Sequence, residues 1–115
     1  MIIYHLTNED QWKLNQKIGF YTPGSLTKEG FIHCSTKEQI LATANRRFHG
    51  DTSLVILVIN TDKVETKIVF EDTSGRGEKH PHIYGKLSLS SIEHVLPLRP
   101  DDDGAFNDLP IEITN

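Results

Sequence analysis

The sequence predicts an α+β protein, because the predicted strands outnumber the helices and the two helices come early in the chain. The 115 residues, of which 37% are hydrophobic, supply one core and not two. A continuous aliphatic run over residues 54–59 indicates a central strand that is buried on both faces. We therefore expect one domain built around β-structure.

The chain is predicted to begin with a strand and a helix. Residues 2–6 are apolar and β-prone, which indicates the strand. Thr7 has the side chain of a helix N-cap, and Asp10 lies three positions on, where a capping box places its acid. The helix is expected to end at Gly19, since glycine readily adopts the left-handed conformation that terminates helices.

A loop, a second strand and a second helix are predicted next. Residues 20–30 are rich in turn-forming residues and predict a loop with one helical turn at residues 25–29. Residues 30–35 predict the strand. Ser35-Thr36 then provides a cap for the helix, in which apolar residues recur every three to four positions until about residues 48–50.

The second half of the chain predicts four strands and one long loop. The strands are expected at residues 53–60, 67–71, 82–89 and 92–98, where apolar and β-branched residues concentrate. Residues 72–81 are polar and contain two glycines, which predicts a mobile loop. The two helices of more than one turn therefore precede most of the strands.

Residues 101–115 are predicted to form an acidic C-terminal tail on a globular domain of residues 1–100. The tail holds five of the sixteen acidic residues and none of the twelve basic ones. Phe106 and Leu109 are its expected anchors to the domain. A formal net charge of -4 argues against bulk nucleic-acid binding. Because residues 1–100 are near neutral, binding of a small anionic ligand there stays possible.

The composition predicts a cytoplasmic protein without a membrane partner. A single cysteine, Cys34, excludes an intramolecular disulfide and a multi-thiolate zinc site, and it fits a reducing compartment. The first ten residues contain no lysine or arginine and no apolar run of signal-peptide length. The longest aliphatic run is far too short to span a membrane. The sequence leaves the oligomeric state open.

Six histidines in so short a chain are the main chemical signal. Imidazole changes protonation near neutral pH and is the commonest metal ligand. His49 and His94 have the surroundings of surface residues. Three other histidines, His5, His33 and His82, fall on separate predicted strands at comparable depth. Each alone is more simply a core histidine with a hydrogen-bond partner, so the functional interpretation depends on their convergence.

Strand alternation indicates which side chains share a face. Phe31, His33 and Ser35 point one way, while Ile32 and Cys34 point the other. His82 and Tyr84 likewise share a face opposite Ile83. Gly85, which follows, would let a ligand or another backbone approach closely.

Three other kinds of site can be considered. His80 and His82 have the spacing of two metal ligands, with His5 or His33 as a third, but no HExxH motif or dedicated carboxylate accompanies them, so we expect no metal. Cys34 could be a nucleophile, yet His33 beside it points away, which favours a buried structural thiol. The loop glycines Gly75 and Gly77 could cradle an anion, but the P-loop pattern is absent.

Three motifs together resemble a short bacterial family known as domain of unknown function 952. They are IYHLT near the start, EGFIHCST in the middle and PHIYGKLSL late in the chain, and the resemblance covers about residues 2–98. The fold of that family resembles the ADP-ribosyltransferases. The resemblance therefore implies an ADP-ribosyltransferase-like split antiparallel β-sheet with two early helices and a cleft for NAD.

The resemblance can be followed motif by motif. Tyr4-His5-Leu6-Thr7 is similar to a Tyr-His-Gly-Thr strand whose histidine holds the nicotinamide ribose, with leucine in place of the glycine. Residues 30–36 are similar to a strand that leads into a helix, without the tyrosine that stacks on nicotinamide. The late strand at residues 81–85 lacks the glutamate that stabilises positive charge at the ribose. Glu71, from the preceding strand, is the acid that could take its place.

These considerations predict an enzyme that acts on NAD or on a phosphorylated ribose or ADP-ribose compound, by glycosyl or phosphate-directed transfer. NAD would be a substrate, and no cofactor is expected. The alternative is a non-catalytic module that binds a nucleotide or small anion in the same cleft. The expected catalytic residues are His5, His33, Glu71 and His82. The expected substrate-binding residues are Thr7, Ser35, Thr36, Tyr84 and Gly85.

Overall fold

The computed structural model describes residues 1–114, with side chains through residue 113. Its strands are β1 (Ile2–Asn8), β2 (Phe20–Tyr21), β3 (Ile32–His33), β4 (Leu54–Asn60), β5 (Lys67–Glu71), β6 (His80–Tyr84), β7 (Leu87–Ser88) and β8 (Ile92–Pro97). Its helices are α1 (Glu9–Ile18), α2 (Gly24–Glu29), α3 (Ile40–Phe48) and α4 (Ile111–Thr114). The predicted α+β class is confirmed, with two short helices, α2 and α4, besides the two longer ones.

The strands form three antiparallel sheets. The first has the order β1-β4-β8, the second β3-β6-β5, and the third pairs β2 with β7. An isolated bridge joins the first sheet to the second: the amide of Tyr4 donates to the carbonyl of Ser35 at 2.9 Å, and the amide of Ser35 donates back at 2.7 Å. The bridge places β1 beside β3, and β3 in turn pairs His33 with His82 of β6.

The central strand β4 separates two hydrophobic clusters. Leu54, Ile56 and Val58 belong to the cluster that α3 covers. The alternate residues of β4 belong to the second cluster, which also contains Ile32 and Ile83 from the second sheet. Burial on both faces, which the aliphatic run predicts, is confirmed, because one face packs on a helix and the other on a sheet.

The first helix begins one residue later than predicted. The side-chain oxygen of Asn8, not that of Thr7, caps α1 by accepting from the amide of Gln11 at 2.8 Å. Thr7 still belongs to β1, where it pairs with Val55, and its side chain is buried. The predicted end is confirmed, since Gly19 closes the helix at a φ of 92°.

The prediction that Ser35-Thr36 caps the second helix is wrong. Ser35 is held in the bridge to Tyr4, and the amide of Thr36 donates to the side-chain oxygen of Gln39 at 3.0 Å. These contacts form a turn, so that α3 begins only at Ile40. The predicted strand over residues 30–35 is correspondingly reduced to β3 and the isolated bridge.

Two boundaries in the second half also differ from the prediction. The predicted loop ends at residue 79, because His80 already pairs with Glu71 in the second sheet. The strand predicted over residues 82–89 is interrupted at Gly85, where a Cβ atom would lie 2.5 Å from the Thr66 Cγ2 atom. This close approach by Thr66, and not by a ligand, explains the glycine.

The C-terminal residues pack onto the domain. Phe106 is 1% exposed, and Ile113, which was not predicted as an anchor, is buried in the same cluster. The side-chain amide of Asn45 on α3 donates to the carbonyl of Phe106 at 2.8 Å, and its oxygen accepts from the amide of Phe106 at 2.7 Å. The segment that was predicted to be extended ends in α4. The division at residue 100 stays a prediction.

The described residues also bear on the membrane prediction. Within residues 1–114, no helix combines the length and the apolar character needed to cross a membrane.

The packing of Phe106 leads to a stability prediction. Replacing Phe106 with alanine should lower the free energy of unfolding by about 3 kcal/mol or more, because it leaves a cavity in the cluster beneath α3. Phe70 is 41% exposed, so Phe70→Ala is the control and should cost much less. Urea denaturation measures both. Equal effects of the two substitutions would show that Phe106 is not part of the core.

Candidate functional site

A cleft of about 700 Å³ lies among β1, β3, β6, the C-terminal half of α3 and the loop before β6. All four predicted catalytic residues line it: His5, His33, Glu71 and His82. Thr7 and Ser35, two of the predicted substrate-binding residues, line it as well. Thr36, Tyr84 and Gly85 are not among its lining residues.

His82 is held against a carboxylate and leaves one nitrogen open. Its Nδ1 donates to the Glu71 Oε1 atom at 2.9 Å, which places the proton on Nδ1 because a carboxylate only accepts. The Phe31 ring stacks on the imidazole at a centroid distance of 4.1 Å. Within residues 1–114, Nε2 makes no hydrogen bond. A histidine oriented in this way can accept or deliver a proton at Nε2.

Glu71 is kept ionised by two donors. The Tyr84 hydroxyl and His82 Nδ1 both donate to Oε1, and these bonds lower the pKa of Glu71, the Tyr84 bond most. The same contact raises the pKa of Tyr84. Glu71 Oε2 has no hydrogen-bond partner in the described part of the chain. The carboxylate therefore brings a negative charge with one open oxygen into the cleft.

His33 forms a second pair with a carboxylate. Its Nε2 donates to the Glu29 Oε2 atom at 2.6 Å, and its ring meets that of His82 edge-to-face with centroids 5.3 Å apart. Burial lowers the pKa of His33; the Glu29 contact opposes this shift, while repulsion from Arg47 and His82 adds to it. His33 therefore remains largely neutral at neutral pH.

His5 has both ring nitrogens bound by the protein. Its Nδ1 donates to the backbone carbonyl of His33 at 2.5 Å, and its Nε2 accepts from the Tyr21 hydroxyl at 2.7 Å. Burial raises the pKa of the Tyr21 hydroxyl to about 12, and the Thr7 side chain opposes this shift. Burial lowers the pKa of His5 to about 4. His5 is thus a neutral residue that connects β1 to β3, with neither nitrogen open to a ligand.

Three arginines at the cleft were not predicted as site residues. Arg46 and Arg47 on α3 and Arg76 on the loop line it. Burial lowers the pKa of Arg46, and repulsion from Arg76 and Arg47 lowers it further, while attraction to Glu78 opposes these shifts. In residues 1–114, none of them forms an ion pair with a carboxylate. A group of unpaired guanidiniums suits an anion such as phosphate.

The loop before β6 is organised around Asp72. Its carboxylate accepts from the amides of Gly77 at 2.7 Å, Gly75 at 2.9 Å and Ser74 at 3.2 Å. The Gly77 contact makes the largest contribution to the lowered pKa of Asp72. The amides that could have cradled an anion are therefore occupied by the protein's own carboxylate. The side chain of Gln39 ties the loop to the turn before α3 by donating to the Lys79 carbonyl at 2.7 Å.

The other two kinds of site receive no support. Among the described residues, no group of three or more His, Cys, Asp or Glu side chains is arranged to hold a metal ion. His80 instead contacts the Glu78 carboxylate at 2.9 Å. Cys34 is buried in the second hydrophobic cluster, and burial raises the pKa of its thiol, so it is the structural thiol that alternation predicts.

Comparisons with known proteins establish the family. The model of the family described as "Protein of unknown function (DUF952)" matches residues 6–95, so the chain belongs to this family, and the predicted family is confirmed. The crystal structure of protein CC0527 from Caulobacter crescentus is similar, with a TM-score of 0.87 and 27% identity over 100% of both chains. The solution NMR structure of CC0527 has a TM-score of 0.80 and 28% identity, covering 92% of this chain and 91% of that one. No curated protein matches.

The buried His5 leads to a prediction about pH. Its folded pKa of about 4 lies below the ordinary 6.5, so the unfolded chain binds the proton first as the pH falls. The contribution of neutral His5 is complete above about pH 6.5 and is lost toward pH 4. Acidification from pH 7.5 to 5.0 should therefore cost the protein roughly 2 kcal/mol of unfolding free energy through this residue.

The variant His5→Asn separates this effect from other titrating groups. Asparagine can still donate to the His33 carbonyl but does not titrate. The variant should therefore lose about 2 kcal/mol less stability than the wild type over the same pH interval, as measured by urea denaturation. An identical acid sensitivity in the two proteins would contradict the role of His5.

Proposed function

We propose that this protein is an enzyme that acts on NAD or another phosphorylated ribose compound of the ADP-ribose type. His82 is the acid-base group and the three arginines bind phosphate. The proposal is carried by one observation: His82 is fixed by Glu71 through Nδ1, while its Nε2 has no hydrogen-bond partner among residues 1–114 and arginines without an ion pair in those residues line the same cleft.

The acid-base role follows from the partners of His82. A carboxylate on Nδ1 fixes the tautomer and the ring orientation, and it stabilises the imidazolium that forms when Nε2 takes a proton. Stacking on Phe31 and burial, with 3% of the side chain exposed, restrict the ring further. A surface histidine without these contacts would gain nothing from the neighbouring glutamate beyond a weak ion pair.

The phosphate role follows from the arginines. Arg76 and Arg47 repel the Arg46 guanidinium in the free protein, so an anion placed among them relieves this repulsion and gains charge-assisted hydrogen bonds. The cleft volume of about 700 Å³ is within the range of sites that take nucleotide-sized ligands. These features favour a ligand with one or more phosphate groups.

The resemblance of the sequence motifs to those of ADP-ribosyltransferases makes NAD the substrate to test first. In that chemistry, a carboxylate stabilises positive charge that develops at the ribose. Glu71 supplies an ionised carboxylate with an open Oε2 in the cleft, although it comes from β5 and not from the late strand β6. The reaction would proceed in the reducing, cytoplasmic setting that the single cysteine predicts.

Ligand binding is predicted to depend on the arginines. Isothermal titration with ADP-ribose and NAD should show binding to the wild type, and Arg47→Ala should weaken it by about tenfold or more, because it removes a charge-assisted contact to phosphate. Arg99 lies outside this cleft, so Arg99→Ala is the matched control and should bind normally.

Product analysis separates an enzyme from a binding module. His82→Asn should retain binding but lose turnover about a hundredfold or more if His82 is the acid-base group. Binding by the wild type without any product in mass spectrometry would instead favour a non-catalytic nucleotide- or anion-binding module. If folded protein gave no binding heat with NAD, ADP-ribose or ribose 5-phosphate, both functions would be overturned.

A further inference from the structure

Two histidine-carboxylate pairs lie next to each other, and both of their histidines line the cleft. His82 is held by Glu71 from β5, and His33 is held by Glu29 from the end of α2. The two imidazoles occupy directly paired positions on β3 and β6, and their ring centroids are 5.3 Å apart. A single acid-base residue would need only one such pair.

Each of the two rings leaves one nitrogen open. Glu71 occupies Nδ1 of His82, and Glu29 occupies Nε2 of His33. No other hydrogen bond to either ring is present within residues 1–114. The Phe31 ring contacts both imidazoles, with centroids 4.1 Å from His82 and 4.8 Å from His33. One aromatic side chain therefore fixes the geometry of the two rings together.

The surroundings of the two histidines differ in charge. Glu71 is ionised, and its Oε1 atom accepts from Nδ1 of His82. His33 is kept largely neutral by its burial and by repulsion from Arg47 and His82, in spite of Glu29. Both histidines therefore contact a carboxylate, and His33 also experiences the positive charge of Arg47. Two imidazoles side by side, each with one open nitrogen, can serve one phosphate as base and acid.

We infer that His33 and His82 form a general base and general acid pair that cleaves a small ribose 3′-phosphodiester through the substrate's own 2′-hydroxyl. The inference rests on the proposed function, because the same arginines hold the phosphate. The overall negative charge argues against a long nucleic acid as the substrate but not against one of dinucleotide size.

The proposed step is balanced without a cofactor. His33 Nδ1 takes the 2′-hydroxyl proton as O2′ forms a bond to phosphorus. The bond from phosphorus to the leaving oxygen breaks, and the Nε2 proton of the His82 imidazolium passes to that oxygen. The products are a 2′,3′-cyclic phosphate and an alcohol. The two histidines have exchanged protonation states, and water restores them.

A dinucleoside monophosphate and its 2′-deoxy analogue test the inference. The protein should convert the ribose compound to a 2′,3′-cyclic phosphate and should leave the deoxy compound intact. Chromatography and phosphorus NMR detect the product. His33→Asn and His82→Asn should each lower kcat/KM about a hundredfold or more. His94 is exposed on β8 and does not line the cleft, so His94→Asn is the control and should cleave normally.

The outcomes distinguish this inference from the proposed function. Because His82 is buried, circular dichroism must show that its variant is folded, and the more accessible His33 provides an independent test. If the wild type binds ADP-ribose but cleaves neither dinucleotide, or cleaves both equally, the two-histidine reaction is overturned and the proposed function remains. If cleavage is unchanged in both histidine variants, the inference is overturned as well.

Discussion

The contact between β1 and β3 is the constraint on which the site depends. Two backbone hydrogen bonds join Tyr4 to Ser35, and beside them buried His5 donates to the carbonyl of His33. These bonds bring the first sheet against the second and fix the strand that carries His33. His5 donates to the His33 carbonyl and accepts from the Tyr21 hydroxyl. An imidazole can do both only in its neutral form, so an uncharged side chain connects β1 to β3.

Features that arise from local patterns were predictable from the sequence. The aliphatic run of β4 indicated burial on both faces, and Gly19 indicated the end of α1, because each depends on a few neighbouring residues. Alternation along short strands also placed His33 and His82 on cleft-facing sides, and Glu71 on the strand before β6. The convergence of these residues depends on the strand order β3-β6-β5, which alternation does not give, and their functional roles stay predictions.

Features that depend on distant partners were not predictable. Arg46 and Arg47 have the pattern of exposed helix residues, and only the fold brings them near Arg76. The loop that carries Arg76 has the composition of a mobile segment, yet the Asp72 carboxylate gathers its amides into one conformation. Phe106 was identifiable as an anchor, whereas the pairing of its backbone with Asn45, 61 residues away, left no local signal.

The three cleft histidines show that burial and partners, more than residue type, decide what an imidazole can do. His5 is buried and uses both nitrogens for the protein, so its contribution is to stability. His33 and His82 each donate one ring N–H to a carboxylate, and the other ring nitrogen has no hydrogen-bond partner within residues 1–114. An open ring nitrogen is what an imidazole needs to transfer a proton. Since the carboxylates come from α2 and β5, outside the strands that carry the histidines, the chemistry of the cleft depends on the packing of both elements.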